Sequence, residues 1–136
     1  MPRALGHPEV IRLLASCDRR TPVGRRDFAI LTVLVRLGLR AGEVAALGLT
    51  DIDWRAGEVV VRGKGNREER LPLPVDVGEA VVGWLKRGRP RGDCTKVFTR
   101  VRAPHGSLAR SGVSAVVIGA AGRAGLEGIS AAMSPS

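Results

Sequence analysis

Apolar residues at Val10, Leu13, Leu14 and Cys17 follow the i, i+3, i+4, i+7 spacing of an amphipathic helix, so "PEVIRLLASC" predicts a first helix with Pro8 near its first turn. "DRRTPVGRR" interrupts it with Pro22 and Gly24, both read as breakers. From Asp27 onward, "DFAILTVLVRLG" is apolar nearly all round. That pattern predicts a buried central helix stopped by Gly38. "GEVAALGL" predicts a short helix almost at once, with Glu43 in a first turn where the helix dipole favours an anion.

The period then changes. "DIDW", "GEVVVRG" and "REERLPLP" are short, Val-rich or alternating, and separated by the turn signals "RAG" and "GKGN". They predict a three-stranded antiparallel sheet built from two hairpins. "VDVGEAVVGWLKRG" returns to helical spacing, with Val75, Val77, Ala80, Val81, Trp84 and Leu85 on its inner side. "RPRGDC" reads as a basic loop, "KVFTRV" as a short strand and "APHG" as a turn. A last helix is predicted over about 107–124, with Val113, Val116, Val117 and Ala120 inward. The elements make an α+β domain, mainly helical with one small sheet.

At 136 residues, 44% of them apolar, the chain has the size and composition of one globular domain. Its apolar stretches are far shorter than the ~20 residues a membrane helix needs, so no membrane association is expected. No apolar run follows the positive charge of "MPRALGHPEV", which predicts no signal peptide. Cys17 and Cys94 read as free thiols, as expected of a cytoplasmic protein. Charge narrows the function further. A net charge of +9 suits a polyanionic partner, double-stranded DNA above all, through release of condensed counterions.

Two residues stand out chemically. Arg40 lies just past the helix-ending Gly38, on a tight helix-to-helix joint. A guanidinium on such a joint can grip a phosphate with two hydrogen bonds; the alternative is that it caps the preceding helix. Lys64 is one of only three lysines against nineteen arginines, and it sits between two glycines at a hairpin tip. Its ammonium can give up a proton where a guanidinium does not; the alternative is a solvated turn lysine. Arg62, Arg67 and Arg70 on the hairpin, and Lys86, Arg87, Arg89 and Arg91 in "KRGRPR", are candidate contacts to the DNA backbone. His105 is either a further backbone contact or an idle loop histidine. The "GKGN" glycines lack the G-x-x-x-x-G-K-[ST] pattern of a nucleotide loop.

"RRDFAILTVLVRLGLRAGEVAALGLTDIDW" followed by "VVVRGKGNREERLPLP" resembles the catalytic domain of the tyrosine recombinases, the phage-integrase family, from about Pro8 to Ala131. The resemblance implies that family's DNA breaking-rejoining fold. It also implies its chemistry, in which a tyrosine cuts one strand as a 3′-phosphotyrosine without metal or cofactor. Carried over by position, Arg40 becomes the first phosphate-binding arginine, Lys64 the general acid that protonates the 5′-oxygen, and Glu43 a structural support for Arg40. Partners would be double-stranded DNA and other recombinase protomers.

The chain departs from that pattern. It contains no tyrosine, and "GISA" runs into "AMSPS" where the family reads His-x-Leu-Arg. Residues 1–131 are therefore expected to be a partial catalytic domain, truncated at its C-terminus and without the family's separate N-terminal domain. Residues 132–136 are expected to form an aberrant tail. Such a fragment is expected not to cleave DNA alone, and to bare apolar faces on the helices over 28–37 and 107–124. Two rivals stay open: a non-enzymatic basic DNA-binding module, and an inert remnant of a mobile element.

Overall fold

The structure, a computed structural model, describes residues 7–63, 65, 67–104 and 106–126. Among the described residues there are five helices and one small sheet. Helix α1 is His7–Ala15, α2 Pro22–Leu37, α3 Ala41–Ala46, α4 Val75–Arg87 and α5 Arg110–Ala124. After α3 comes a single 3-10 turn, Leu49–Asp51, which leads into strands β1 (Ile52–Asp53), β2 (Glu58–Arg62) and β3 (Glu68–Pro72). The strands pair antiparallel in the order β1-β2-β3, with Ile52 opposite Val59 and Val60 opposite Arg70. On β2, Val59 and Val61 face the core, as alternation requires. The expected α+β architecture and both hairpins are present.

Helix α2 is central, and it packs against each of the other four helices. Residues Ala29 to Leu34 are all buried, so its apolar circumference is covered rather than bare. Among the large apolar side chains of α5, only Ile118 is prominently exposed, at 56%. Trp84 of α4 is fully buried, and its indole Nε1–H donates to Val97 O at 2.8 Å, which satisfies its one polar atom. Two arginines tie α1 to the end of α5: Arg12 donates to Ala124 O at 2.6 Å and Arg123 to Ser16 O at 3.0 Å.

Four boundaries differ from the sequence reading, each for a local reason. Helix α2 begins at Pro22, not Asp27. Thr21 caps it, its hydroxyl accepting from the Gly24 N–H at 3.0 Å, and a proline in the first turn has no N–H to orphan. Gly24 is there for close approach, since a β-carbon on it would lie 1.7 Å from Asp18 O. At the other end of α2, Gly38 takes φ 68°, the left-handed turn expected of a stop.

The strand expected in "KVFTRV" is reduced to isolated bridges, Gly48 to Lys96 and Thr99 to Ser107. The backbone there pairs first with 47–49 and then with 106–108. That second pairing is also why α5 starts at Arg110: residues 107 and 108 are bridged to 98 and 99, with the Leu108 N–H on Phe98 O at 3.0 Å, so their backbone is not free to be helical. Finally, Val75 is not on the inner side of α4; it is 77% exposed, at the first position of the helix.

Candidate phosphate-binding site

The joint between α2 and α3 is built from Gly38 to Glu43. Gly38 turns the chain, Leu39 is buried as an anchor, and Arg40 is exposed in extended conformation (φ −86°, ψ 158°) just before α3. Glu43, in the first turn, accepts the Arg40 backbone N–H on its Oε1 at 2.7 Å. This is half of a capping box, in which an acidic residue satisfies an otherwise orphan donor. Among the described residues the Arg40 guanidinium has no carbonyl or carboxylate partner; the last carbonyls of α2 are served instead by the Gly38 N–H, bonded to Leu34 O.

The hairpin of β2 and β3 comes to the same place. A β-carbon on Gly63 would lie 3.9 Å from Glu43 Oε2, so the outgoing end of β2 passes beside the carboxylate that props up Arg40. Gly63 immediately precedes Lys64, and its N–H closes the hairpin on Arg67 O at 2.8 Å. Lys64 itself, like His105, lies outside the described residues.

The stem of this hairpin is anchored by an ion-pair network. Arg62 Nη2 donates to Asp51 Oδ1 at 2.9 Å, and Nη1 to Glu68 on the facing strand. Asp51 is buried (7% exposed), and its other oxygen accepts the Gly48 N–H at 2.8 Å. The hydrogen bond and charge of Asp51, with the charge of Glu68, push the Arg62 guanidinium further above its ordinary range. Arg62 is thus ion-paired within the protein, with about half of its side chain still exposed.

Arg89 is likewise engaged within the protein. Its guanidinium donates to Cys94 O at 2.6 Å, Lys96 O at 2.8 Å and Val97 O at 3.3 Å, pinning the loop after α4. Arg70 is exposed and 3.5 Å from Glu58 across the sheet. Arg67, Lys86, Arg87 and Arg91 are exposed, with no side-chain ion pair among the described residues.

Sequence reasoning missed Lys96. Its ammonium donates to Ala46 O at 3.1 Å and so closes the C-terminal end of α3, fifty positions earlier in the chain. Around it, Leu49 N–H bonds Thr95 O and Val97 N–H bonds Leu47 O, at 2.8 and 2.9 Å. Nothing in "DCTKVF" marks such a role, because a carbonyl cap depends on which helix end lies nearby.

Among the described residues, no three His, Cys, Asp or Glu side chains gather as a metal site. No described helix is long and apolar enough to cross a membrane. Open grooves of about 520 and 600 Å³ flank α4, and neither is lined by Arg40, Glu43 or Arg62.

The chain matches the phage integrase family over residues 3–135. It is 50% identical over 128 residues to y4rA of Sinorhizobium fredii (strain NBRC 101917 / NGR234), an integrase/recombinase by name, covering 93% of this chain and 31% of that one. Against the tyrosine recombinase XerD of Pseudomonas aeruginosa it is 40% identical over 95 residues, 68% of this chain and 30% of the relative. The chain therefore spans about a third of the length of these curated relatives. In structure it resembles the XerA recombinase, with a TM-score of 0.77 at 24% identity, over 93% of this chain and 44% of the other.

Proposed function

The chain belongs to the phage integrase family, and on that premise we propose that it supplies the DNA-phosphate-binding and leaving-group parts of a tyrosine-recombinase catalytic domain. Arg40 grips the scissile phosphate. Lys64 delivers a proton to the 5′-oxygen as the phosphorus–oxygen bond breaks. Glu43 holds the backbone from which Arg40 projects. These 136 residues contain no tyrosine, so the nucleophile is not assigned to them. The carrying observation is the convergence at Glu43: one oxygen receives the Arg40 N–H at 2.7 Å, while the other lies 3.9 Å from where a Gly63 β-carbon would stand. Arg40 and Gly63, the residue that precedes Lys64 in the chain, thus meet at one carboxylate, one from a helix joint and the other from a hairpin.

Duplex DNA is the substrate class, and other protomers of the same family are the protein partners. The working place is the cytoplasm, and the chemistry needs no metal or cofactor. The +9 charge and the exposed Arg67, Lys86, Arg87 and Arg91, which have no ion pair among the described residues, support backbone binding. These same residues would equally serve a basic module that binds DNA without reacting.

Two variants separate those readings. The full chain is titrated into a labelled duplex, and in parallel mixed with an intact recombinase protomer that supplies a tyrosine. Arg40→Ala should weaken binding, while Lys64→Ala should leave binding intact and abolish strand cleavage in the mixed assembly. Cleavage unaffected by Lys64→Ala would end the general-acid assignment and leave the binding module standing.

A further inference from the structure

The outer face of α4 carries a notch that the fold itself does not use. Glu79, Gly83 and Arg87 are spaced by four, so they share one stripe of the helix, and all three line both of the open grooves that flank it. Gly83 lies inside α4, where a glycine costs stability relative to alanine. A β-carbon on it would meet nothing within 4 Å, so no packing among the described residues calls for a glycine there. The missing side chain leaves a low point on the ridge, where a second helix can cross α4 closely.

We propose that this face of α4 is a docking surface for an acidic amphipathic helix of another protein, laid across the notch at Gly83. The inference goes beyond the reading above and uses neither Arg40 nor Lys64. Its first support is apolar. On one side of the ridge, the groove of about 600 Å³ holds Trp54 and Val75, 46% and 77% exposed, with the half-buried Val82. A tryptophan this open at a surface is suited to anchor a protein interface. The ring is seated beside Gly78, where a β-carbon would lie 3.7 Å from its Cζ3.

The second support is charge. Of the ionised groups lining the two grooves, Arg20 and Asp76 are answered by Asp18 and Arg36. That leaves Arg19, Arg25, Lys86 and Arg87 facing a single further carboxylate of the lining, Glu79. Two of these cations are held in place: the Arg19 guanidinium lies 4.4 Å from the Phe28 ring centre, and Arg25 Nη1 donates to Arg87 O at 3.0 Å. A cation already held meets a carboxylate at a smaller entropic cost. The match is a helix whose apolar side chains reach Trp54 and Val75 and whose carboxylates reach Arg19, Arg25 and Arg87.

A second copy of this chain would bring another +9 and the same basic strip, which disfavours self-association here. Duplex DNA would answer the charge and leave Trp54 and Val75 uncovered. Lys86 and Arg87, counted above among the cations open to DNA, are the residues over which the two partners compete. Strand β2 runs from Glu58, beside Gly57 of this groove, to Gly63 beside Glu43, so a helix docked on α4 leaves the Arg40 site open.

The probe is a synthetic helical peptide of about 18 residues with leucines along one face and glutamates beside them, labelled with fluorescein and followed by anisotropy as the full chain is added. Binding should saturate, about tenfold or more tighter than that of a scrambled peptide of the same composition. Trp84 is fully buried, so it is Trp54 whose emission should move to shorter wavelength on binding, and Trp54→Phe should abolish that shift. Gly83→Leu fills the notch and should weaken the peptide about tenfold, while melting at or above the wild-type temperature. Arg19→Ala combined with Arg87→Ala should weaken it about two- to tenfold. No saturable binding up to about 1 mM chain, equal binding of the scrambled peptide, or wild-type binding by Gly83→Leu would overturn the proposal. A wild-type dimer in sedimentation that Gly83→Leu breaks would overturn it in favour of a second copy. A duplex of about 30 base pairs whose affinity Gly83→Leu lowers would overturn it in favour of DNA.

Discussion

Arg62 reaches from the end of β2 to Asp51, its Nη2 2.9 Å from Oδ1, and so fastens the stem of the Lys64 hairpin to the segment that follows α3. Asp51 is the structural partner in this pair, because it is buried and its second oxygen holds the Gly48 N–H. Asp51→Ala should destabilise the domain by about 1–3 kcal/mol in urea unfolding, since it strips a cap and leaves a backbone donor unpaired. Asp51→Asn keeps an acceptor and should cost less. Equal losses in the two variants would mean that side-chain volume, not hydrogen bonding, matters at this position.

Glu43 makes a separable prediction. Its carboxylate holds the backbone of Arg40 rather than the guanidinium. Glu43→Ala should cost about 0.5–2 kcal/mol, in the range of a lost helix cap. It should also weaken duplex binding less than Arg40→Ala does. Glu43→Gln retains an acceptor and should recover most of both losses. Binding as weak as in Arg40→Ala, with stability unchanged, would show that Glu43 orients the guanidinium directly.

Gly24→Ala is expected to be among the most damaging small substitutions in the chain. Its new methyl group would stand 1.7 Å from Asp18 O, a backbone atom with no side-chain freedom to yield. The loss should be about 3 kcal/mol or more, seen as a large fall in melting temperature. A variant melting within a few degrees of wild type would show that the α1–α2 turn can be rebuilt easily.

The described backbone shows how far pattern alone carries. Helical spacing identified the central helix, α4 and α5, and alternation with turn signals identified both hairpins, because burial of one face is written directly into residue order. The start of α2 was obscured because Pro22 and Gly24 look like breakers; only the Thr21 cap and the approach to Asp18 reveal them as a first turn. The internal bonds of Arg62 and Arg89 were not legible, because a sequence displays charge and not its partner. Their partners are Asp51 and Glu68 for one, and three loop carbonyls for the other. Arg40 and Glu43 were legible, since a local joint places them. The arrival of Lys96 at α3 was not, since it comes from a distant segment.

Asp27 gives a pH signature. Burial is the main cause that holds its carboxyl above the ordinary value of 3.8, and the adjacent Arg26 only partly opposes it. The folded chain therefore binds this proton more tightly than the unfolded chain. The resulting stabilisation is fully present below the unfolded value and is lost as pH rises through the folded one. Measured against Asp27→Asn, which cannot titrate, wild-type stability should decline as pH rises above the ordinary value of 3.8. A constant difference between the two proteins over that rise would contradict the burial argument.

Cys17 lies in the same neighbourhood. Burial first, and the charge of Asp27 second, push its thiol above the ordinary value of 9.0. Alkylation by iodoacetamide near pH 8 should run on the order of tenfold slower in the native chain than in urea. A Cys94→Ser background isolates the signal. Asp27→Asn should speed the native reaction; native and unfolded rates that coincide would show the thiol to be unprotected.

The Lys96 bond to Ala46 O joins positions fifty residues apart, and its neighbours 95 and 97 stitch to 47 and 49 alongside it. Such a closure is made against the entropy of a long intervening loop, and it cannot precede synthesis of its second half. Helix α2 and the joint at Arg40 can form as soon as they are made, but α3 is locked only when the segment around 96 arrives. During translation, the turn bearing Arg40 is thus among the first parts of the domain to be made and among the last to become rigid.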